Sequence, residues 1–349
     1  MKKKLVATVI AFCLNVGAFA GCGSNADNAN VTEGMAKNEQ MDYQGAIESF
    51  DAAIAAEENE RLIYRGMGIA YMGLTDYANA IENFIVCLNL SNGVIQDIDF
   101  DVNYYLAAAY YKNGNIKEAA DTYTAIINLR QEEVEAHYLR GTTLLALGEY
   151  VEAQKDFDTV LLLTSDDCDR LIAIYQSLES HGYQEIGQEY LKRILNEKGD
   201  KLKNYDMGRI YYYLKEYAQA CNYLEKSKDT GTAESYLYLG KAYEATGDYN
   251  YASSVYTSYV SKDSSNAEVY NQLGLCRMEQ GEYQLALEAF QSAMNIENNG
   301  MMQILQFNEI VAYEYLGEYQ KATVLMNNYI KMYPDDEVAK REYEFLKTR

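Results

Sequence analysis

Tryptophan is absent from the 349 residues, proline occurs once, at Pro334, and histidine only twice. A chain with one proline and 23 glycines does not suit a sandwich marked by proline turns or a collagen-like rod. Positive charge is also scarce: 30 lysines and arginines face 52 acidic residues, for a formal net charge of -22. Nucleic acid and anionic lipid surfaces are bound through concentrated Lys and Arg, so both are poor partners for this field. A cationic partner stays open, and so does an acidic surface kept for solubility. With 48% apolar and 23% charged residues, wholesale disorder is excluded. What is plentiful is tyrosine, 35 of them, beside the glycines. That composition predicts an all-α chain of helices interrupted by glycine turns.

The N-terminus reads as an export signal outside the fold. Lys2-Lys3-Lys4 precedes a mostly apolar run from Leu5 to Ala20, broken by Thr8 and Asn15 and too short to read securely as a spanning helix. Phe19-Ala20-Gly21-Cys22 resembles the cleavage box of bacterial lipoproteins, in which a cysteine is diacylated through its thiol before the peptide is cut in front of it. The resemblance implies a signal at 1–21, lipid on Cys22, a polar tether at 22–30 and anchoring on the extracytoplasmic face of the cell membrane, or in the periplasm if the cell has two membranes. Two or three acyl chains anchor stably, since each buried CH₂ contributes about 0.8 kcal/mol. A secreted protein trimmed at Ala20 and a cytoplasmic protein are the alternatives. Beyond this region, Cys87, Cys168, Cys221 and Cys276 show no C-x-x-C spacing. Cys168, in the polar stretch Ser165 to Asp169, is expected to be the free thiol, and the other three to be small buried hydrophobes.

Internal similarity carries the strongest signal. An alanine recurs as Ala46, Ala80, Ala119, Ala153, Ala220, Ala252, Ala286 and Ala322, with Gly187 in the one gap, at spacings of 32 to 39 residues. Nine units follow. Five residues before the anchor stands Gly114, Gly148, Gly182, Gly247, Gly281 or Gly317, suited to the positive φ that ends a helix. Three before it, tyrosine opens a second helix in seven units, and four after it an aromatic or aliphatic residue lies one turn along the same face. Twelve before it, Gly34, Gly68, Ala107, Gly141, Gly208, Gly240 and Gly274 mark a first helix. Mid-helix glycine costs about 1 kcal/mol relative to alanine, so its recurrence at one phase predicts a close approach of two helix backbones.

These stretches, among them Gly240-Lys241-Ala242-Tyr243 with Gly247 to Ala252, and Gly274 with Gly281 to Phe290, resemble the tetratricopeptide repeat family, whose unit is a 34-residue antiparallel helix pair. The resemblance implies a right-handed superhelical solenoid of about nine helix-turn-helix units over 31–336, closed by a capping helix at 337–349 with Val338, Tyr343 and Leu346 on one side. Three departures stand out. The first unit has Met41 at the turn and a first helix polar enough to fray. The fifth unit replaces the anchor with Gly187. Ser91-Asn92-Gly93 opens an insertion ending in Asp97-Ile98-Asp99-Phe100-Asp101, which lacks the glycine and distal glutamate of an EF-hand loop and reads as an elongated linker.

Chemistry has few footholds. His137 falls in the packing column of Tyr64, Tyr236 and Tyr270, and His181 precedes turn Gly182. No His/Cys/Asp cluster has metal-ligand spacing and no phosphate loop is present, so neither an enzyme nor a cofactor or metal is expected. The remaining candidate is a surface. By the resemblance, the groove lined by the first (A) helices would present Arg65, Tyr104, Tyr111, Tyr138, Tyr205, Arg209, Tyr212, Tyr213, Lys241, Phe307 and Tyr315. Tyrosine offers a rigid apolar face with a hydroxyl, suited to holding an extended segment or helix. The same tyrosines could instead only pack between adjacent A helices. The lysine, asparagine and arginine set that holds a terminal peptide carboxylate in some family members is absent: the matching positions carry Arg65 and Ile69, Tyr104 and Ala108, Tyr138 and Thr142. The leading expectation is a membrane-anchored scaffold binding an unidentified protein or peptide. A solute- or glycan-binding lipoprotein is the alternative, and a spacer or homo-oligomer is left open.

Overall fold

The structure, a computed structural model, describes residues 28–165, 167–228 and 231–349. The export signal, the Cys22 lipidation site and the tether up to residue 27 lie outside the described residues. Among the described residues there are nineteen α-helices, and the chain divides into two units between Tyr190 and Leu191.

The first unit holds α1 (Ala29–Glu39), α2 (Tyr43–Ala55), α3 (Glu60–Gly73), α4 (Tyr77–Asn89), α5 (Asp97–Lys112), α6 (Ile116–Leu129), α7 (Val134–Ala146), α8 (Tyr150–Thr164), α9 (Cys168–Ser180) and the start of α10 (Gln184–Lys198). The second continues with α11 (Asn204–Tyr213), α12 (Tyr217–Ser227), α13 (Ala233–Thr246), α14 (Tyr249–Val260), α15 (Ala267–Glu279), α16 (Tyr283–Met294), α17 (Met302–Tyr315), α18 (Tyr319–Met332) and α19 (Glu337–Leu346). Consecutive helices pair into hairpins, about nine in all, and within each unit the hairpins stack. Successive odd-numbered (A) helices also touch one another, as α3 does α5 and α11 does α13, while successive even-numbered (B) helices do so less. The A helices therefore line the inner side of each unit.

The turns explain why the hairpins are uniform. Gly114, Gly148, Gly182, Gly247, Gly281 and Gly317 all have φ between 75° and 88°. Where glycine is missing the same left-handed geometry persists, at Met41 (φ 61°), Thr75 (φ 60°) and Lys215 (φ 63°). Stacking thus imposes the turn even on a β-branched residue, for which it is strained. In three hairpins an aspartate caps the helix that follows: Asp42 accepts from the Gly45 N–H at 3.1 Å, Asp76 from the Asn79 N–H at 3.2 Å and Asp248 from the Tyr251 N–H at 3.0 Å.

Every anchor alanine is fully buried, as are Phe50, Phe84, Phe157, Tyr256 and Phe290 one turn on. The A-helix glycines Gly34, Gly68, Gly141, Gly240 and Gly274 face these rings and not a neighbouring backbone as the spacing suggested, while Gly208 faces Leu224, side chain and backbone N both. A Cβ on Gly240 would fall 2.2 Å from Tyr256 Cζ, and one on Gly274 2.3 Å from Phe290 Cε1. The fifth hairpin inverts the arrangement. Tyr175 on α9, 1% exposed, takes the small-residue place, and Gly187 on α10 takes the anchor's, where a Cβ would meet the Tyr175 ring at 2.9 Å. Bulk has moved from the B helix to the A helix and the void has moved the other way.

Three expectations are corrected. The polar α1 is tied down by Glu58, whose carboxylate accepts from the Asn30 and Val31 N–H groups at 3.0 and 2.9 Å, and by Asn38, which donates to the Gly66 carbonyl at 2.9 Å. The insertion is only partly a linker, because Asp97, Asp99 and Asp101 all belong to α5. At the C-terminus Ala339 turns inward beside Leu346, while Val338 is exposed.

Candidate functional site

On α11, Tyr205, Arg209, Tyr212 and Tyr213 recur at helical spacing along one side. The three tyrosines converge on one residue of the next A helix, Tyr238. Its ring lies 6.2 Å from Tyr205, 5.7 Å from Tyr212 and 6.2 Å from Tyr213, each edge to face. The Tyr213 and Tyr238 hydroxyls are 3.0 Å apart. Arg209, buried, lays its guanidinium 4.4 Å over the Tyr205 ring and bonds Asp206 at 2.6 Å. Burial, reinforced by Tyr213, pushes the Tyr238 phenol well above its ordinary range, so its hydroxyl remains uncharged. The rings themselves are half-buried, offering π-faces and hydroxyl edges on the inner side of the second unit.

The other expected residues lie apart from this cluster. Lys241 on α13 pairs with Glu268 on α15 at 3.2 Å. Phe307 on α17 packs 5.8 Å from Tyr329, and Tyr315, 59% exposed, stacks at 4.9 Å on Tyr283, the first residue of α16. In the first unit, Tyr104 leans on Tyr123 at 6.2 Å and its phenol is raised by burial and then by Glu133. Tyr138 packs on Phe157 at 6.4 Å and carries Arg170 5.4 Å over its ring, while Tyr111 is half-buried on α5. Arg65 pairs with Asp101, and Arg61 with Asp99. Much of the inner surface is therefore spent joining one A helix to the next. The sequence reading missed Tyr238, although Tyr104, Tyr138, Tyr205 and Tyr238 follow at 34, 67 and 33 residues, single or double repeat spacings. It also missed the aspartates that hold the arginines, because those partners lie 36 and 38 residues away.

Both histidines are engaged in internal hydrogen bonds, and the four cysteines among the described residues are buried. His137 is buried with Nδ1 2.7 Å from Asp156 and Nε2 3.0 Å from the Gln131 carbonyl, and Arg140 grips Asp156 with two bonds of 2.7 and 2.8 Å. His181 ends α9 with Nδ1 2.8 Å from the Ser177 carbonyl. Cys168, set apart from the other three by its polar stretch, is buried as they are, because it opens α9 with its side chain inward. Burial pushes the Cys221 thiol up to about 11 and Cys276 to about 12, which leaves neither reactive. Among the described residues, no three His, Cys, Asp or Glu side chains stand where they could hold a metal ion, and no helix is long and apolar enough to cross a membrane.

The Tetratricopeptide repeat family profile matches residues 104–165 and 237–296, which run from within α5 to the end of α8 and from within α13 to the end of α16. Over those two stretches the chain is similar to the tetratricopeptide repeat family. Among relatives, the repeat protein is 24% identical over 258 residues to a TPR repeat-containing protein of Methanocaldococcus jannaschii, covering 68% of this chain and 44% of that one. It thus spans less than half the length of that relative. A tetratricopeptide repeat protein from Parabacteroides merdae aligns with 72% of this chain and 98% of its own at 13% identity and a TM-score of 0.45. Yeast Tom70 aligns with 93% of this chain and 88% of its own at 13% identity and a TM-score of 0.49.

Proposed function

We propose that this protein is a non-catalytic scaffold that binds a protein or peptide along the inner, A-helix side of its repeats, held at the extracytoplasmic face of a membrane by lipid on Cys22. The observation that carries the binding reading is the cluster of Tyr205, Arg209, Tyr212, Tyr213 and Tyr238. Aromatic faces with hydroxyl edges bind a segment through stacking and a few hydrogen bonds without a strict sequence demand, and Tyr and Arg dominate binding energy at interfaces. Anchoring rests on Lys2 to Lys4, the apolar run and Cys22.

The test is crosslinking in intact cells followed by mass spectrometry, comparing the protein with a Tyr212→Leu, Tyr213→Leu variant whose melting is followed in parallel. A protein captured by the parent and lost in the folded variant supports the reading, and identical capture by both removes the cluster from the site. Loss of membrane association on Cys22→Ser tests the anchor separately. The glycan reading has one observation in its favour, a polar cleft of about 530 Å³ lined by Asn250, Ser254, Thr257, Ser258, Arg277 and Gln280. Saturable oligosaccharide binding abolished by Gln280→Leu would move the assignment there.

A further inference from the structure

The last hairpin and the closing helix leave an open-sided cavity of about 480 Å³ between the start of α17, the end of α18 and the start of α19. Met301, Ile304 and Val338 give it aliphatic walls, Phe307 and Tyr329 give it ring faces, and Asp336 supplies a carboxylate. Ile304 and Val338 are 49% and 57% exposed, so the aliphatic surface continues to the mouth.

Asp336 is fixed before anything binds. Its Oδ1 accepts from the Val338 and Ala339 N–H groups at 3.0 Å each, capping α19, and its Oδ2 accepts from the Tyr329 hydroxyl at 2.9 Å. Burial acts against the charge, but the Ala339 N–H, the Tyr329 hydroxyl and the Val338 N–H together hold the carboxyl below its ordinary value. Oδ2 retains a lone pair for one more donor. The Tyr329 phenol, pushed up to about 12 by burial and the Asp336 carboxylate, stays neutral. Among the described residues, no cationic side chain lines the cavity. No lysine, arginine or histidine occurs between Arg277 and Lys321, a stretch that carries seven glutamates.

We propose that this cavity is a subsite for a long aliphatic side chain with a cationic end, a lysine or arginine of a bound peptide. The stem would lie along Met301, Ile304 and Val338, and the charge would sit against the faces of Phe307 and Tyr329 within reach of Asp336 Oδ2. Ring quadrupoles and a fixed carboxylate both select a cation over a neutral chain of equal length. The subsite deepens the scaffold reading by naming the chemistry of one partner residue, and it rests on that reading only for the peptide context.

The probes are N-acetyl-lysine methylamide and the norleucine analogue, which keeps the stem and lacks the charge. The readout is the Met301 methyl signal in protein carrying ¹³C-methyl methionine, assigned with Met301→Leu. Saturable movement is expected with the lysine probe, with about tenfold tighter binding than norleucine. Asp336→Asn retains a capping residue for α19 and is expected to weaken lysine binding about tenfold while leaving norleucine unchanged. Phe307→Leu is expected to act the same way. Equal affinities, no saturable movement with lysine, or indifference of the lysine probe to Asp336→Asn would each overturn the proposal. A single-residue probe read at Met301 needs no captured partner, so failure here leaves the crosslinking result standing, and the reverse also holds.

Discussion

The two units join their A helices with different chemistry. In the first, charge crosses from hairpin to hairpin: Arg61 to Asp99 and Arg65 to Asp101 between α3 and α5, and Arg170 to Glu135 between α9 and α7. Inside one hairpin, Asp156, 2% exposed, binds both Arg140 and His137. In the second unit, aromatic contacts join α11 to α13, with Tyr238 at the centre of three edge-to-face pairs, and one charge pair, Lys241 to Glu268, joins α13 to α15. A salt bridge demands one geometry, and it penalises the loss of either partner heavily when buried. A ring cluster spreads its contacts over many atoms and tolerates a missing hydroxyl. The hairpin stack is thus held by charge pairs from α3 to α5 and from α7 to α9, and by ring contact from α11 to α13.

The largest expected effect comes from Asp156→Ala, which strands Arg140 and His137 without their buried anion. A loss of about 3–5 kcal/mol is expected, read as a lower urea midpoint and faster hydrogen exchange in peptides from α7 and α8, with peptides of the second unit unchanged. If exchange accelerates equally in both units, the two do not unfold independently.

Tyr238→Ala should cost about 2–3 kcal/mol by removing most of a half-buried ring from three neighbours. Tyr238→Phe should cost about 1 kcal/mol, the worth of one hydroxyl pair. Equal costs for the two would mean that the hydroxyl, not the ring, joins α11 to α13, and the contrast between the units would fail.

The smallest effect is a pH dependence where the second unit does place charges of one sign together. Glu314 on α17 is pushed up to about 7 by burial and by Glu342 on α19. An acid with a folded value above its ordinary 4.5 binds its proton more tightly when folded, so it stabilises fully at low pH. That contribution declines as pH rises from about 4.5 to about 7 and is level above. Hydrogen exchange of α19, corrected for intrinsic rate, should therefore be slower at pH 5 than at pH 8, and Glu314→Gln should remove the difference. Equal protection in the parent at both pH values would contradict this account.

Legibility followed the range of the interaction. The alanine column, the turn glycines and the ring one turn after the anchor are contacts within a hairpin, and the repeat spacing exposed them directly. The irregular fifth unit was visible as a substitution at Gly187, but its meaning was not, since Tyr175 had to be seen against Gly187 to show that bulk and void had changed sides. Of the surface residues, those on α11 share a helix and were found together. Tyr238 was overlooked because a tyrosine among 35 attracts no notice until its ring is seen to collect three others.

By itself the sequence determined the helical class, the period, the glycine turns and the acidic field, because each depends on local propensity or on a spacing repeated many times along the chain. Only the tertiary structure decided which arginine meets which aspartate, which tyrosine gathers the others, that Cys168 points inward and Val338 outward, and that a cavity remains beneath α19. Those outcomes depend on how one hairpin is rotated and shifted against the next. That offset is set by the summed packing of whole helices, and no single column of residues encodes it.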